Sequence, residues 1–200
     1  VAAPLSWITE LLAAHLRDFP QVHARVQIDL EERTSSTVTR MVLANAADIG
    51  VFTFSTDEPH LHVYPYREDE VIMVMHKSHP LAPRGRVSFS DTLEYVHIGM
   101  QRDSAMAAVM QKVADDSRCE LRMRFFVHSY DALISMVRQR LGIGLLPRGA
   151  MPLYDQAELA MVRLNDTWAC RRIKIGVRRS EPPSAVGRML LNQLLARAPR

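Results

Sequence analysis

The sequence is poor in cysteine and has no long apolar segment. Its two cysteines, Cys119 and Cys170, do not form a Cys-x-x-Cys pair, and a disulfide framework needs more of them. This scarcity predicts a reducing, cytoplasmic setting. No run reaches the ~18 apolar residues that a membrane span requires. The start, VAAPLSWITELLAAHLRDF, lacks the basic region of a signal peptide, and its abruptness predicts that the chain is part of a longer protein.

Motifs for catalysis, cofactor binding and metal binding are also missing. The sequence contains neither Gly-x-x-x-x-Gly-Lys-[Ser/Thr] nor Gly-x-Gly-x-x-Gly, and no Gly-x-Ser-x-Gly nucleophile elbow. His76 and His79 are spaced as a pair but lack the His-Glu-x-x-His context of zinc enzymes, and His60 and His62 have no third ligand nearby. We therefore predict that the protein is not an enzyme and holds no metal or cofactor.

Positive charge is present but not concentrated. The chain has 25 Lys and Arg against 22 Asp and Glu, a formal net charge of +3. A nucleic-acid-binding domain usually collects its basic residues on one face, whereas here they are scattered. The densest group, RRIKIGVRR (171–179), is predicted to be a strand with solvated flanks. The sequence thus offers no DNA-binding surface of its own.

The first quarter of the chain shows alternating helical and strand patterns. Apolar residues recur at helical spacing over 5–19, and residues 24–32 alternate apolar with polar, as a strand does. A Ser/Thr cluster at 34–37 is suited to cap a second helix, which should stop near Asn45, because asparagine tolerates a left-handed C-terminal position. Residues 47–54 then form a short apolar strand. Helix, strand, helix, strand predicts a parallel sheet covered by helices.

The same alternation continues to the end of the chain. Extended segments are predicted at 61–66, 70–76, 95–99, 120–127, 142–147 and 171–179. Helices are predicted at about 90–94, 104–116, 129–141 and 184–198.

The segment RQRLGIGLLP (138–147) joins a helix to a strand. A phosphate-binding loop would have the opposite order, with glycines between a strand and a following helix. Arg138 and Arg140 lie in the last helical turn, where cations oppose the helix dipole. We predict that Gly142 is the residue at the left-handed C′ position, and that Gly144 permits close approach in a buried strand.

This joint carries a family resemblance. SYDALISMVRQRLGIGLLP (129–147) resembles the end of the effector-binding domain of LysR-type transcriptional regulators, in which a serine-capped helix runs into a glycine-containing strand. Three other segments are similar in order and spacing: LLAAHLRDFPQVHARVQIDLEERTSSTVTRMVLANAADIGVF, EVIMVMHKSHPLA and VHIGMQRDSAMAAVMQ. The chain departs from the family at Asn45, where glycine is usual, and in the absence of the N-terminal winged helix-turn-helix.

The resemblance implies an α/β fold like that of type 2 periplasmic binding proteins. Two regulatory subdomains, 1–70 with 170–200 and 71–169, would be joined by two crossover strands, with a small-molecule effector in the cleft. It also implies a homodimer, and a tetramer for the full-length protein. DNA would be bound only through the missing N-terminal domain, and no membrane contact is expected.

The effector site is predicted from helix starts. Four predicted helices begin with hydroxyl residues: Ser6, Ser35 or Ser36, Ser104 and Ser129. In an open α/β sheet, ligands bind at the edge where strands end and helices begin, and helix N-termini attract anions. We therefore expect a small anionic effector, in particular a carboxylate. The alternative is that each serine only caps its own helix.

Four further residues near these helix starts are candidate effector contacts: Thr34, Gln101, Arg102 and His128. Arg102 precedes a helix start and has the geometry to pair with a carboxylate; its alternatives are solvation or pairing with Asp103. His128 is equally well explained as a structural histidine.

Two interpretations of the whole chain stay open from the sequence. One is the sensor domain of a transcription regulator, and the other is a stand-alone solute-binding protein of a transporter. The predicted helices over 5–19 and 132–141 carry apolar residues on more than one face. We expect that excess to serve a homodimer, unless both helices are buried within their own subdomains.

Overall fold

The computed structural model describes residues 1–4, 7, 8, 16, 19, 25–53, 59–102, 104–181 and 183–196. Contacts within the chain define two compact units. The first unit comprises Val1–Glu68 with Arg172–Arg200, and the second comprises Asp69–Arg171. The chain passes from one unit to the other within two strands. The assignment of regulatory roles to two subdomains stays a prediction.

Most of the described strands and helices lie where the sequence patterns predict them, but the strands at Arg86–Val87 and Leu159–Leu164 were not predicted. The strands are β1 (Ala2–Ala3), β2 (Glu31–Glu32), β3 (Gly50–Phe52), β4 (Leu61–His76), β5 (Arg86–Val87), β6 (His97–Met100), β7 (Met123–Val127), β8 (Ile143–Pro147), β9 (Leu159–Leu164) and β10 (Cys170–Arg178). The α-helices are α1 (Ser35–Leu43), α2 (Ala105–Asp116), α3 (Tyr130–Arg138) and α4 (Ala185–Ala196). The short helix expected near 90–94 is a 3-10 turn at Phe89–Thr92.

The sheet of the first unit has the order β2–β1–β3–β10, with β4 next to β10. β1 is parallel to β2 and β3, and β10 is antiparallel to β3. The predicted strand over 24–32 forms a ladder only at Glu31–Glu32. Even so, Val26, Ile28 and Leu30 are half-buried against the core while their polar neighbours are exposed. The alternation was therefore a correct guide to burial, although most of the segment makes no ladder.

The sheet of the second unit has the order β5–β9–β4–β8–β6–β7. β6 is parallel to β7 and β8, whereas β4 runs antiparallel to both β8 and β9. The two extended segments predicted at 61–66 and 70–76 are one strand of 16 residues. That strand carries the chain from the first unit into the second.

The end of α1 supports the assignment of Asn45 to a left-handed position. Asn45 has φ 59°, the conformation that asparagine tolerates better than most residues. The N–H of Asn45 donates to the carbonyl of Val42 at 3.3 Å, and that of Ala46 to Met41 at 2.9 Å. This pair of bonds is a Schellman motif. Arg178 adds a hydrogen bond from Nη1 to the Val42 carbonyl at 2.8 Å.

The prediction that Gly142 ends α3 in a left-handed conformation is wrong. Arg140 holds that position with φ 59°. The N–H of Arg140 donates to Val137 and that of Leu141 to Met136, which closes a Schellman motif two residues before the glycine. Arg118 ends α2 in the same way, with φ 54°.

A glycine is needed at position 142 for a different reason, which is the close approach of the Val96 carbonyl. A Cβ at this position would lie 2.7 Å from the carbonyl oxygen of Val96. The N–H of the next residue, Ile143, donates to that same carbonyl at 2.9 Å. Gly144 has a different neighbour, because its Cβ would lie 2.8 Å from the side chain of Leu133 on α3. The two glycines thus let β8 approach first a backbone and then a helix.

Within the described part of the chain, no helix combines the length and apolar content that crossing a membrane requires.

Candidate functional site

In the first unit, the residues that follow the parallel strands gather at one sheet edge. β1, β2 and β3 run in the same direction, so their carboxyl ends share an edge. Thr34 lies just after β2, and Thr53 lies directly after β3. Ser6, predicted as an effector contact after β1, lies outside the described residues. Thr53 was not among the predicted contacts, although its position after an apolar strand was a usable signal.

The start of α1 differs from the prediction that Ser35 or Ser36 caps it. Thr34 is the N-cap residue, since its backbone is extended (φ −67°, ψ 153°) and Ser35 is already helical. The Thr34 hydroxyl makes no capping bond to the helix backbone; it donates to Thr37 Oγ1 at 3.1 Å. The first-turn N–H groups of α1 therefore keep their capacity to bind an acceptor.

The hydroxyl of Ser35 is used to connect α1 to the end of β3. Its Oγ accepts a hydrogen bond from the Thr53 N–H at 3.2 Å and lies 3.3 Å from Thr53 Oγ1. Thr39 donates to the Ser35 carbonyl at 3.1 Å. The N-terminus of α1 is thus held in place by contacts that do not consume its own first-turn N–H groups.

In the second unit, β6 and β7 end side by side, with Met100 opposite Val127. Gln101 follows β6 in a left-handed conformation, φ 43°. Ser104 caps α2 by accepting from the Ala107 N–H at 3.1 Å, and Ser129 caps α3 by accepting from the Ala132 N–H at 3.2 Å. Both serines are therefore N-caps as predicted, and both helices start from the same sheet edge.

Arg102 and His128 occupy this edge in exposed positions. The Arg102 guanidinium carbon lies 3.8 Å from the centroid of the Phe126 ring, which is a cation–π contact. This contact leaves the guanidinium N–H groups available, and the alternative partner Asp103 lies outside the described residues. His128 directly follows β7.

A charged cluster that the sequence analysis missed lies at the same edge. Glu70 on β4 bonds to Arg148 Nη1 at 3.1 Å and to Arg163 Nε at 2.6 Å. Burial alone would raise the pKa of Glu70, but hydrogen bonds and charge from Arg163 and Arg148 outweigh it and lower the pKa. The antiparallel register of β4 with β8 and β9 brings these residues together. The run of charge at 67–70, between apolar segments, was the available signal.

The predicted contacts therefore fall into two groups. Thr34 and Ser35 belong to the first unit, and Gln101, Arg102, Ser104, His128 and Ser129 share one sheet edge of the second. Both groups present backbone and side-chain hydrogen-bond donors suited to an acceptor-rich small molecule. Among the described residues, no group of three or more His, Cys, Asp or Glu side chains is arranged to hold a metal ion.

Comparison with known proteins identifies the family. Residues 1–199 match the LysR substrate binding domain. The HTH-type transcriptional regulator CysL of Bacillus subtilis (strain 168) is 27% identical over 141 residues, which cover 70% of this chain and 46% of CysL. The chain spans about half the length of the curated relatives it matches.

Solved structures agree in fold over almost the whole chain. The CcmR regulatory domain of Synechocystis PCC6803, in complex with 2-PG, has a TM-score of 0.84 at 16% identity and covers 98% of this chain and 94% of that one. The effector-binding domain of QuiR in complex with shikimate has a TM-score of 0.81 at 15% identity, with the same shares covered. The fold is thus the two-subdomain α/β fold of LysR effector-binding domains, and the chain belongs to the LysR substrate binding domain family.

Proposed function

We propose that this chain is the sensor of a LysR-type transcriptional regulator that responds to a small organic anion, in particular a carboxylate. The family match and the curated relatives, which are HTH-type transcriptional regulators, support a regulator. They favour it over the alternative of a transporter's solute-binding protein and over an enzyme. In this proposal, DNA binding belongs to a helix-turn-helix domain outside this chain, and the protein works in the cytoplasm.

The geometry at the start of α1 is the main support for an anionic effector. Its N-cap hydroxyl turns to Thr37 instead of the helix backbone, and its position is fixed by the Ser35–Thr53 bonds. The N–H groups of the first turn carry partial positive charge and lack an intrahelical acceptor. A bound carboxylate would satisfy them without displacing an existing cap.

The second unit is proposed to contribute differently. The hydroxyls of Ser104 and Ser129 already accept from their own helices, and that of Ser104 also donates to the Met100 carbonyl at 3.3 Å. A ligand would therefore take the free donor of Ser129 or displace the Ser104–Met100 bond. Arg102 stacks on Phe126 and makes no ion pair with a described residue, so its guanidinium is proposed to donate to the ligand. Gln101 and His128 complete the proposed set of contacts on this edge.

Replacing Thr34 with valine is expected to weaken carboxylate binding about tenfold, because valine has no hydroxyl proton that could turn from Thr37 to the bound anion. Calorimetry against a panel of hydroxylated and aromatic carboxylates, with their amides, measures the effect. The control is Ser184→Ala, which removes a hydroxyl that caps α4 by accepting from Gly187 at 3.1 Å and leaves the proposed contacts intact. Tighter binding of the amides than of the acids would contradict an anionic effector.

We also propose that the chain forms a homodimer, as the family resemblance implies. The sequence suggested that apolar residues of α3 would be left over for a dimer interface. Instead, Leu133, Ile134 and Val137 are buried in their own unit, and Met136 packs against the same cluster, so α3 gives no support for the dimer. The helix expected over 5–19 lies largely outside the described residues. Light scattering at micromolar concentration should give twice the chain mass of 22.7 kDa. A single-chain mass would refute the dimer.

A further inference from the structure

The second unit contains a cavity that the proposed effector site does not use. Its volume is about 530 Å³, within the range of about 300–1,000 Å³ that is typical of small-molecule pockets. Polar side chains on its wall include His76, His79, Tyr95, Arg124 and Arg140. Phe125 and Leu141 add apolar surface, and Leu141 is 45% exposed.

This cavity lies at the edge of the sheet opposite the proposed effector contacts. Val96 and Ile143 border the amino ends of β6 and β8, and Arg124 lies near the amino end of β7. Gln101, Ser104 and Ser129 follow the carboxyl ends of these parallel strands. A strand of five residues is roughly 16 Å long, so one small ligand cannot occupy both places.

Both histidines of the wall are held as hydrogen-bond donors. His76 Nδ1 accepts from the Ser78 N–H at 3.1 Å, and His79 Nδ1 accepts from the Leu81 N–H at 3.2 Å. A neutral imidazole whose Nδ1 accepts carries its proton on Nε2. Burial lowers the pKa of His79, although the nearby charge of Glu94 opposes that shift. In this tautomer each ring carries an Nε2–H donor.

The two arginines of the wall lack a counter-charge among the residues that the structure describes. Neither Arg124 nor Arg140 forms an ion pair with any described residue, and the described residues of the wall include no carboxylate side chain. Glu94 does not line the wall, but its carboxylate is hydrogen-bonded to Tyr95 and acts on His79. The carbonyls at the end of α3 are occupied, since Val137 and Met136 accept from Arg140 and Leu141. The polar wall is thus dominated by donors.

We propose that this cavity is a second ligand site that binds a small organic anion, with its charge toward Arg124 and Arg140 and its apolar body against Phe125 and Leu141. Guanidinium groups bind oxyanions strongly, and the apolar wall favours a ligand with a carbon skeleton over a free inorganic ion. The site does not depend on the proposed effector site, because it shares none of its residues.

Amide NMR shifts of Val96, Gly142 and Ile143 report on this cavity, whereas those of Ser104 and Ser129 report on the proposed effector contacts. Three probes separate charge from apolar contact: benzoate, its neutral amide benzamide, and acetate. We expect benzoate to saturate the cavity shifts, with benzamide and acetate each at least about tenfold weaker. Equal binding of benzamide, equal binding of acetate, or no saturation with benzoate would overturn the proposal.

Two variants test the arginines, and a third is a matched control. Arg140→Gly and Arg124→Gln should each weaken benzoate at the cavity at least about fivefold. Arg118→Gly makes the same arginine-to-glycine change at a left-handed helix end, but Arg118 does not line the cavity. Glycine adopts positive φ without steric cost, so both glycine variants should melt no lower than the parent.

Weaker binding by Arg140→Gly therefore cannot be ascribed to unfolding. Unchanged binding in either Arg140→Gly or Arg124→Gln would overturn the site, and so would equal weakening by Arg118→Gly. If carboxylates cause no amide shifts at Ser104 and Ser129, the readouts at Val96, Gly142 and Ile143 are unaffected, so the two proposals fail independently.

Discussion

Replacing Asp69 with alanine is expected to lower the free energy of unfolding by about 3 kcal/mol, because it removes a charged hydrogen-bond acceptor from a largely buried guanidinium. Asp69 and Arg171 have side-chain exposures of only 9% and 10%. Arg171 Nε donates to Asp69 Oδ2 at 3.1 Å, and Nη2 contacts the same oxygen. The two residues are 102 positions apart. They connect the two segments where the chain passes between its units.

Two comparisons isolate this effect in denaturant titrations. Asp116→Ala breaks the Lys112–Asp116 pair, whose side chains are 75% and 65% exposed, and should cost less than about 1 kcal/mol. A double change, Asp69→Leu with Arg171→Met, removes both charges and should recover most of the loss. A loss for Asp69→Ala no larger than that for Asp116→Ala would show that the pair is effectively solvated.

Local sequence signals predicted most of the elements but not all of their ends. Apolar GIGLLP became β8, and Asn45 took the left-handed position that its residue type suggested. The end of α3 was assigned to Gly142 because glycine is the commonest residue there, yet Arg140 holds it. A Schellman motif is fixed by backbone hydrogen bonds, and those bonds offset the steric cost of a side chain at positive φ. That balance cannot be read from residue type.

In the candidate site too, features that depend on neighbouring residues were predictable, whereas those that join residues far apart in the sequence were not. Ser104 and Ser129 were identifiable as caps because a capping hydroxyl lies next to the helix it serves. The Glu70–Arg148–Arg163 cluster joins residues 78 and 93 positions apart. It exists only because β4 runs antiparallel between β8 and β9. Strand register of this kind depends on tertiary packing, so the sequence alone did not reveal it.

The second large effect expected is on pH-dependent stability, and its source is His97. This side chain is fully buried. The Thr92 hydroxyl donates to the Phe89 carbonyl at 2.6 Å, so it must accept from His97 Nε2–H, which lies 3.0 Å away. His97 Nδ1 has no hydrogen-bond partner among the described residues. Burial lowers the pKa of His97 to about 4, although a hydrogen bond with the Tyr95 backbone partly opposes that shift.

The direction of the pH effect follows from proton binding. Between the ordinary histidine pKa of 6.5 and the folded value of about 4, the unfolded chain binds a proton that the folded chain does not. The free energy of unfolding should therefore fall as the pH drops through this window, by about 3 kcal/mol in total. Above the window both states are neutral at this residue, and the contribution vanishes.

Urea titrations at pH 7, 6 and 5 measure this loss of stability. These pH values lie above the range in which Glu70, with its lowered pKa, would take up a proton. His97→Gln cannot titrate, so its stability should change less over the same interval, even if the variant is less stable throughout. His128→Gln is the matched control, since His128 is exposed and its removal should leave the slope unchanged. An identical slope in His97→Gln and the parent would mean that the burial of this neutral imidazole does not govern the acid response.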